Sequence, residues 1–346
     1  MENIQRRPLI TFMLIAYNQE RFIAEAVQGA FNQIYSPLEI VLSDDYSADR
    51  TYEIMQEMAA KYRGPHTIVL NRNDNNLGLI EHINHVMEFA KGELIVIAAG
   101  DDISLPERVK EVFQCYENND RQICSIYSQV YNVDENGQTI NITKNAHDPN
   151  KFSLRYLAER QSGVLGAAHT WHREVFDYFG AMNPLPIHGE DGIIPFRSRL
   201  LGNVFFIDKP LVKYRSHNNN IWAPPISGSL SSNSKWLQKR SGERLLSNIK
   251  ITQNKLNDLE LFLSRNPTKN NQYSLIRLLL QDKLDQYSLE SKFVQSNLIG
   301  QIGVIVESLR LGTRIITLLR WIFQYDMPFL FYLLNQRRRA QFHNKS

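Results

Sequence analysis

The sequence predicts an α/β protein: a mixed, mostly parallel sheet with helices on both faces, followed by a C-terminal α-helical extension. Three observations lead there. Over the first 130 residues, short apolar runs alternate with segments whose apolar residues recur at helical spacing, as in strand–helix repeats. The apolar runs end in polar clusters such as Asp44–Asp45 and Asp101–Asp102. Beyond residue 235 the apolar spacing settles near about 3.5, the period of packed helix pairs.

The strands are expected at 9–16 (LITFMLIA), 38–43, 67–70, 94–99 (LIVIAA) and 123–130. Between them Phe22, Ile23, Ala26, Val27 and Ala30 form one helical stripe, and Tyr52, Ile54, Met55, Met58 and Ala59 a second. Ile80, Ile83, Val86, Met87 and Ala90 form a third, and Val109, Val112 and Phe113 belong to a fourth that starts near Pro106. Asn136–Gly137 signals a hairpin. A short helix at 173–180 is closed by Gly180, and another at 190–202 by Gly202. Two short strands follow at 203–207 and 211–214. The Pro/Ser/Asn-rich stretch 223–234 reads as a linker and 235–300 as a helical hairpin suited to forming a homodimer. This divides the chain into a 1–222 domain, the linker, the hairpin and a 301–346 segment.

Bulk properties narrow the function. The chain has 346 residues with 43% hydrophobic and 22% charged content, the composition of a globular protein. A net charge of +3 argues against nucleic acid as partner. The charge is uneven: residues 301–346 hold seven Lys/Arg against two Asp/Glu, a net of +5 that leaves −2 for the remainder. Residues 303–334 are apolar but interrupted by Arg310, Arg314, Arg320 and Asp326. Such a segment suits a helix lying on a membrane surface or packed on protein better than one crossing a bilayer. Cys115 and Cys124 lack metal-ligand spacing and read as reduced thiols of a cytoplasmic protein. Arg6–Arg7 precede the first apolar run, but no small-residue cleavage site follows, so the run is read as a strand rather than a signal peptide.

Ligands of open α/β sheets bind at the carboxyl ends of the strands. Here those ends carry Tyr17–Asn18, Asp44–Asp45 and Asp101–Asp102. Adjacent carboxylates repel, and a hard cation that also bridges phosphates would relieve them. Helix capping by Asp102 and Ser104 is the plainer alternative.

With these pieces in order, residues 8–220 resemble the family 2 glycosyltransferases of GT-A fold, of the type found in bacterial polysaccharide and O-antigen biosynthesis. The matching stretches are ITFMLIAYNQERFIAEAVQGAFNQ, LEIVLSDDYSADRT, NNLGLIEHINHVMEFAKGELIVIAAGDD, HGEDGIIPFRSRLLG and VKYRSHNNNI. The resemblance implies an inverting transfer of a sugar from a nucleotide-sugar, a UDP- or dTDP-sugar, to a hydroxyl of a glycan or lipid-linked acceptor. It implies that Ala16, Tyr17 and Asn18 lie beside the base, that Asp45, with Asp44, accepts from the base imide, and that Asn76 and Gly78 pass close to the nucleotide. Gly78 also reads as a simple turn glycine. Asp101 and Asp102 stand for the DxD element, with Ala99 where a first acid is usual. One contacts ribose and the other a divalent metal, Mn²⁺ or Mg²⁺, in either assignment. His217 is implied as a further metal or diphosphate contact and Arg215 as a phosphate donor. Glu190 and Asp191 match the acidic element that carries the general base, Asp191; favourable charge at a helix N-terminus is the structural alternative. His169, Thr170, Trp171 and His172 fall in the segment lining the acceptor side, where Trp171 serves either as a sugar platform or as core. The family pattern has Gly at the position of Tyr46. The expected location is cytoplasmic, on the inner face of the membrane. A non-catalytic nucleotide-sugar-binding or scaffold subunit is the competing reading, favoured by the missing acid.

Overall fold

The computed structural model describes residues 7–143, 152–161, 164–186, 189–217, 230–311, 313, 315–322 and 325. The first half alternates as the apolar periods predict: β1 (Ile10–Ala16), α1 (Ile23–Phe31), β2 (Leu38–Asp44), α2 (Thr51–Lys61), β3 (Thr67–Arg72), α3 (Leu79–Phe89) and β4 (Leu94–Ala99). A two-residue β5 (Ile103–Ser104) leads into α4 (Arg108–Glu117), then β6 (Cys124–Val133) and β7 (Thr139–Ile142). Next come α5 (Leu154–Glu159), β8 (His169–His172), α6 (Glu174–Phe179), α7 (Glu190–Leu201) and β9 (Asn203–Arg215). The extension consists of α8 (Leu230–Arg265), α9 (Asn270–Gln295), α10 (Leu298–Arg310) and α11 (Ile315–Trp321).

Among the described residues the strands form one sheet in the order β3-β2-β1-β4-β8-β6-β9-β5, with β7 on β6. β3, β2, β1 and β4 are parallel; β8 runs against β4 and β6, while β6 and β9 are parallel. The central strand β1 is buried along its whole length. Its side chains alternate between faces: Ile10, Phe12, Leu14 and Ala16 meet α1, α2 and α4, and Met13 and Ile15 meet α3 and the later helices. Each such Ile or Leu contributes on the order of 2 kcal/mol by leaving water.

Two expectations change. The strands expected at 203–207 and 211–214 are one strand, β9, whose register against β6 shifts around Ser128–Val130. Pro210 has no N–H to give the ladder, and there the pairing shifts register instead of ending. The hairpin of helices is packed onto the sheet domain by one continuous core: Trp171, Ile193 and Phe196 share a cluster with Ile251, Leu259 and Leu280. The first part of the expected linker, 223–229, lies outside the described residues, and from Leu230 the chain is already helical. The later part of the 303–334 segment also lies outside them, as do Arg337–Arg339.

Candidate functional site

Three strand ends meet at one edge, and backbone hydrogen bonds lace them together. Gly100 N–H donates to Ile15 O at 3.0 Å, and Asp45 N–H donates to Ala16 O at 2.9 Å. Gly100 permits this approach: a Cβ there would stand 2.4 Å from Gln19 Oε1 and 2.8 Å from Ala16 Cβ. The sequence Ala99–Asp102 therefore delivers its two acids at the end of β1, next to Ala16. Tyr17 is exposed at 48%. Asn18 is left-handed (φ +52°), which Asn tolerates. Its N–H donates to Ser47 Oγ at 2.8 Å, and its Oδ1 accepts from Ala48 N–H at 2.9 Å.

The two acids of β2 do different things. Asp44 is fully buried, accepts from the N–H and hydroxyl of Ser47, and faces Arg72 Nε at 3.5 Å. Burial pushes its carboxyl above the usual carboxylate range. Asp45 Oδ1 accepts from Asn73 Nδ2 and Leu77 N–H, both at 2.8 Å, and its Oδ2 accepts from Gly78 N–H at 2.9 Å. This carboxylate clips the loop holding Asn76 and Gly78 to the tip of β2. Asn76 itself is exposed. Gly78 has φ +78° and precedes α3, so it performs the turn role. Tyr46 takes a left-handed conformation too (φ +63°), with the Arg72 guanidinium 5.6 Å from its ring centre. The turn that Gly would accommodate is thus retained at some backbone strain.

Asp101 and Asp102 are held from behind by the end of β9. Arg215 N–H donates to Asp102 Oδ1 at 2.8 Å, and Arg215 Nε donates to Asp101 O at 3.0 Å. The rest of the Arg215 guanidinium reaches Glu135 O at 2.7 Å and Glu25 Oε2 at 3.1 Å, with the Phe22 ring 4.8 Å away. Arg215 is thus a buried brace between strand ends. His217 Nε2 lies 2.9 Å from Asp101 Oδ2, its ring against Phe22. Asp102 is only 4% exposed, and its Oδ2 has no hydrogen-bond partner among the described residues. Burial and then the Asp101 charge push the Asp102 carboxyl well above its usual value. Asp101, Asp102 and His217 do not form a preassembled three-ligand metal cluster. The orphaned Oδ2 fits a hard cation held by one or two carboxylates and completed by substrate phosphates.

Glu190 and Asp191 open α7. Gly189 N–H donates to Glu190 Oε2 at 3.0 Å. Glu190 is buried, which raises its carboxyl. Pro195 lies inside α7 and lacks the N–H that would bond Asp191 O; Val164 N–H donates to that carbonyl instead, at 3.3 Å. This ties α7 to the segment 164–168, which runs into β8 beside β4. Gly166 is close enough that a Cβ there would meet Glu190 Oε1 at 2.8 Å.

The acceptor-side segment proves to be interior. His169, Thr170 and Trp171 are fully buried and His172 nearly so. Burial lowers His169 to about 3, and Trp171 belongs to the main core. Their place between β4 and β6 explains this, since a central strand has both faces covered.

Two cations escaped sequence reading. Arg108 is buried beneath Asp102 and donates to Ser104 Oγ, Ile97 O and His169 O. Lys255 of α8 is buried and donates to Leu157 O at 2.8 Å and Arg160 O at 2.6 Å. Burial lowers its amine to about 7, with Lys283 lowering it further and Asp191 and Asp258 opposing. Neither residue sits in a recognisable pattern, so no local signal could have singled them out.

Comparison with known proteins agrees with this geometry. Residues 11–179 match the family model "Glycosyl transferase family 2". An uncharacterized glycosyltransferase of Methanocaldococcus jannaschii is 30% identical over 153 residues, covering 44% of this chain and 50% of that protein. The chain spans half or less of the length of this and two further curated relatives. Staphylococcus aureus TarS 1–349, solved with UDP-GlcNAc, superposes with TM-score 0.50 at 17% identity, covering 83% of this chain and 80% of that one. The mannosyltransferase PcManGT of Pyrobaculum calidifontis, solved with GDP-Man and Mn²⁺, gives TM-score 0.50 at 16% identity, covering 94% and 88%. At such identity these two likenesses speak for the fold. Residues 11–179 thus match the glycosyltransferase family 2 model, on a sheet whose fold is GT-A-like.

Proposed function

We propose that the protein transfers a sugar from a nucleotide-sugar to a hydroxyl of a glycan or lipid-linked acceptor, with inversion, as in polysaccharide biosynthesis. The observation that carries this reading is the convergence of the β1, β2 and β4 tips, with the orphaned Asp102 Oδ2 among them. Two neighbours of the same fold were solved with UDP-GlcNAc and with GDP-Man and Mn²⁺, which supports a nucleoside diphosphate donor.

On this reading Tyr17 offers an exposed ring to the base, and Asn18 and Asp45 shape the floor beneath it. Asp45 has three of its acceptor positions engaged by the protein, so it acts chiefly through the backbone of Leu77 and Gly78. Asp102, with Asp101 beside it, would hold a divalent cation, and such a cation would neutralise the leaving diphosphate. Arg215 and Arg108 keep the Asp101–Asp102 turn in place and supply positive charge behind it. Asp191 takes the proton of the acceptor hydroxyl as its oxygen attacks the anomeric carbon. The bond from that carbon to the diphosphate oxygen breaks, the electron pair leaves with the nucleoside diphosphate, and the configuration inverts.

Calorimetric titration with UDP, dTDP and GDP, each with and without Mn²⁺, tests the donor site. Metal-dependent binding of one nucleotide is expected. Asp191→Asn should keep that binding and lose transfer by at least about 100-fold; retained turnover removes Asp191 as base. The competing reading, a binding or scaffold subunit, draws on Ala99 in place of an acid. It predicts nucleotide binding without transfer in the wild-type protein.

A further inference from the structure

The extension leaves one helix face without protein cover among the described residues. On α10, Ile299, Ile302, Val306 and Leu309 recur at spacings of three, four and three, within an arc of about 80°. They are 80%, 57%, 44% and 46% exposed, and Leu311 just beyond is 68% exposed. The opposite side of α10, through Val304 and Ser308, is buried. Val304 packs in a satellite core with Leu245, Leu289, Phe293, Leu318 and Trp321. This helix is therefore amphipathic in an inverted sense: it is anchored to the protein by one side and presents a second apolar stripe outward. A contiguous stripe of this kind marks an interaction surface.

The charge around the stripe selects the partner. Arg310 is exposed at the end of α10, next to Leu309 and Leu311. Glu307 on the flank is paired with Lys292 at 3.6 Å. Residues 301–346 together carry seven Lys/Arg against two Asp/Glu. An apolar stripe ending at an exposed Arg310, in a stretch of sequence with net positive charge, matches the headgroup–acyl boundary of an anionic bilayer. No helix of the described residues is long and apolar enough to cross a membrane.

We propose that the outer face of α10, Ile299 to Leu311, is a docking surface for an anionic lipid bilayer. Its position relative to the candidate site gives the contact a use. Leu245 of α8 sits in the α10 core, and Ile251 of the same helix touches Gly189, where a Cβ would stand 2.6 Å from its side chain. Six residues of helix separate these points by about 9 Å along the axis. The start of α7, with Glu190 and Asp191, thus lies within two turns of α8 from the core that carries α10, a placement compatible with a lipid-linked acceptor. That last step rests on the transfer reading; the lipid contact does not.

Vesicle flotation of the full chain tests it, using phosphatidylglycerol/phosphatidylcholine mixtures against phosphatidylcholine alone. Wild type should float with the anionic vesicles, less so at high salt, and not with the neutral ones. Two variant pairs on exposed positions, Ile302→Asp with Val306→Asp and Ile299→Ser with Leu311→Ser, should each lower the bound fraction about tenfold or more with the melting temperature unchanged. Wild type that ignores anionic vesicles overturns the proposal, as do pairs that bind like wild type. A wild-type dimer that either pair converts to monomer, with no vesicle binding, assigns the stripe to a second copy instead and equally overturns it. Nucleotide titration in the same variants reads the donor site separately, so failure of one assignment does not mimic failure of the other.

Discussion

Asp45 and Asp102 sit at equivalent strand tips yet carry opposite burdens. Asp45 is satisfied by three donors from the segment 73–78. Asp45→Ala leaves those buried N–H groups without acceptors. It should cost about 2–3 kcal/mol of unfolding free energy in urea titration, along with nucleotide affinity. Asp102 is the reverse case, a buried carboxylate with one oxygen unsatisfied. Its folded pKa is raised above 3.8 by burial and by Asp101. The ionised form is therefore disfavoured in the folded chain, and the penalty is present at neutral pH. It disappears as pH falls toward 3.8, where the unfolded side chain is protonated too. Asp102→Asn should raise the melting temperature of the ligand-free protein at pH 7, with an advantage that fades toward pH 4. The same change should abolish the Mn²⁺-dependent part of nucleotide binding. A residue whose removal stabilises the fold while erasing ligand binding is retained for function.

At the scale of elements, α7 is the piece on which the proposed chemistry depends, and α8 is what fixes it. Arg197 of α7 makes a two-point ion pair with Asp258 of α8, at 2.8 and 3.0 Å, almost fully out of water. Its remaining donors bond Gly180 O and Ala181 O. Asp258→Ala strands a buried guanidinium and should cost about 3–5 kcal/mol in denaturant unfolding, whereas an apolar replacement of both partners should recover most of that loss. Pro195 acts on the same helix in the other direction. By withholding an N–H it frees the Asp191 carbonyl for Val164, which tethers the helix start to the segment before β8. The sequence makes Pro195 and the acids visible but not their partner, because Val164 is brought to Asp191 by the place of β8 between β4 and β6.

For the molecule as a whole, the helical hairpin behaves as part of the domain. Its Ile251, Leu259 and Leu280 close the same core as Trp171 and Phe196. A chain ending at residue 229 should therefore lack fixed tertiary packing, read as loss of near-ultraviolet circular dichroism. Lys255 reports on the same junction. Its folded amine is lowered from 10.5 to about 7, so between those values the unfolded chain binds the extra proton and stability rises with pH. Below pH 7 the burial penalty is fully present. From about pH 7 to pH 9 wild type should gain on the order of 2 kcal/mol relative to Lys255→Met in urea unfolding. Equal gains would show that the amine keeps its proton inside the fold.

The alternation of strands and helices, the places where apolar runs stop, and the polar residues standing at those stops are all legible in the chain's residue order. These are local properties: period, run length and the turn residues that follow. The family resemblance rested on the same local stretches. Which of those residues face a ligand and which are consumed by the protein was decided only by tertiary structure. The resemblance offers Arg215 as a phosphate donor; the fold in addition brings Glu25, 190 positions earlier, and Glu135 to its guanidinium. The resemblance sets His169–His172 in the acceptor-side segment; their central place in the sheet buries them. Lys255 and Arg108 had no pattern at all. Contacts between residues so far apart follow from the packing of sheet and helices, and no window of sequence contains both partners.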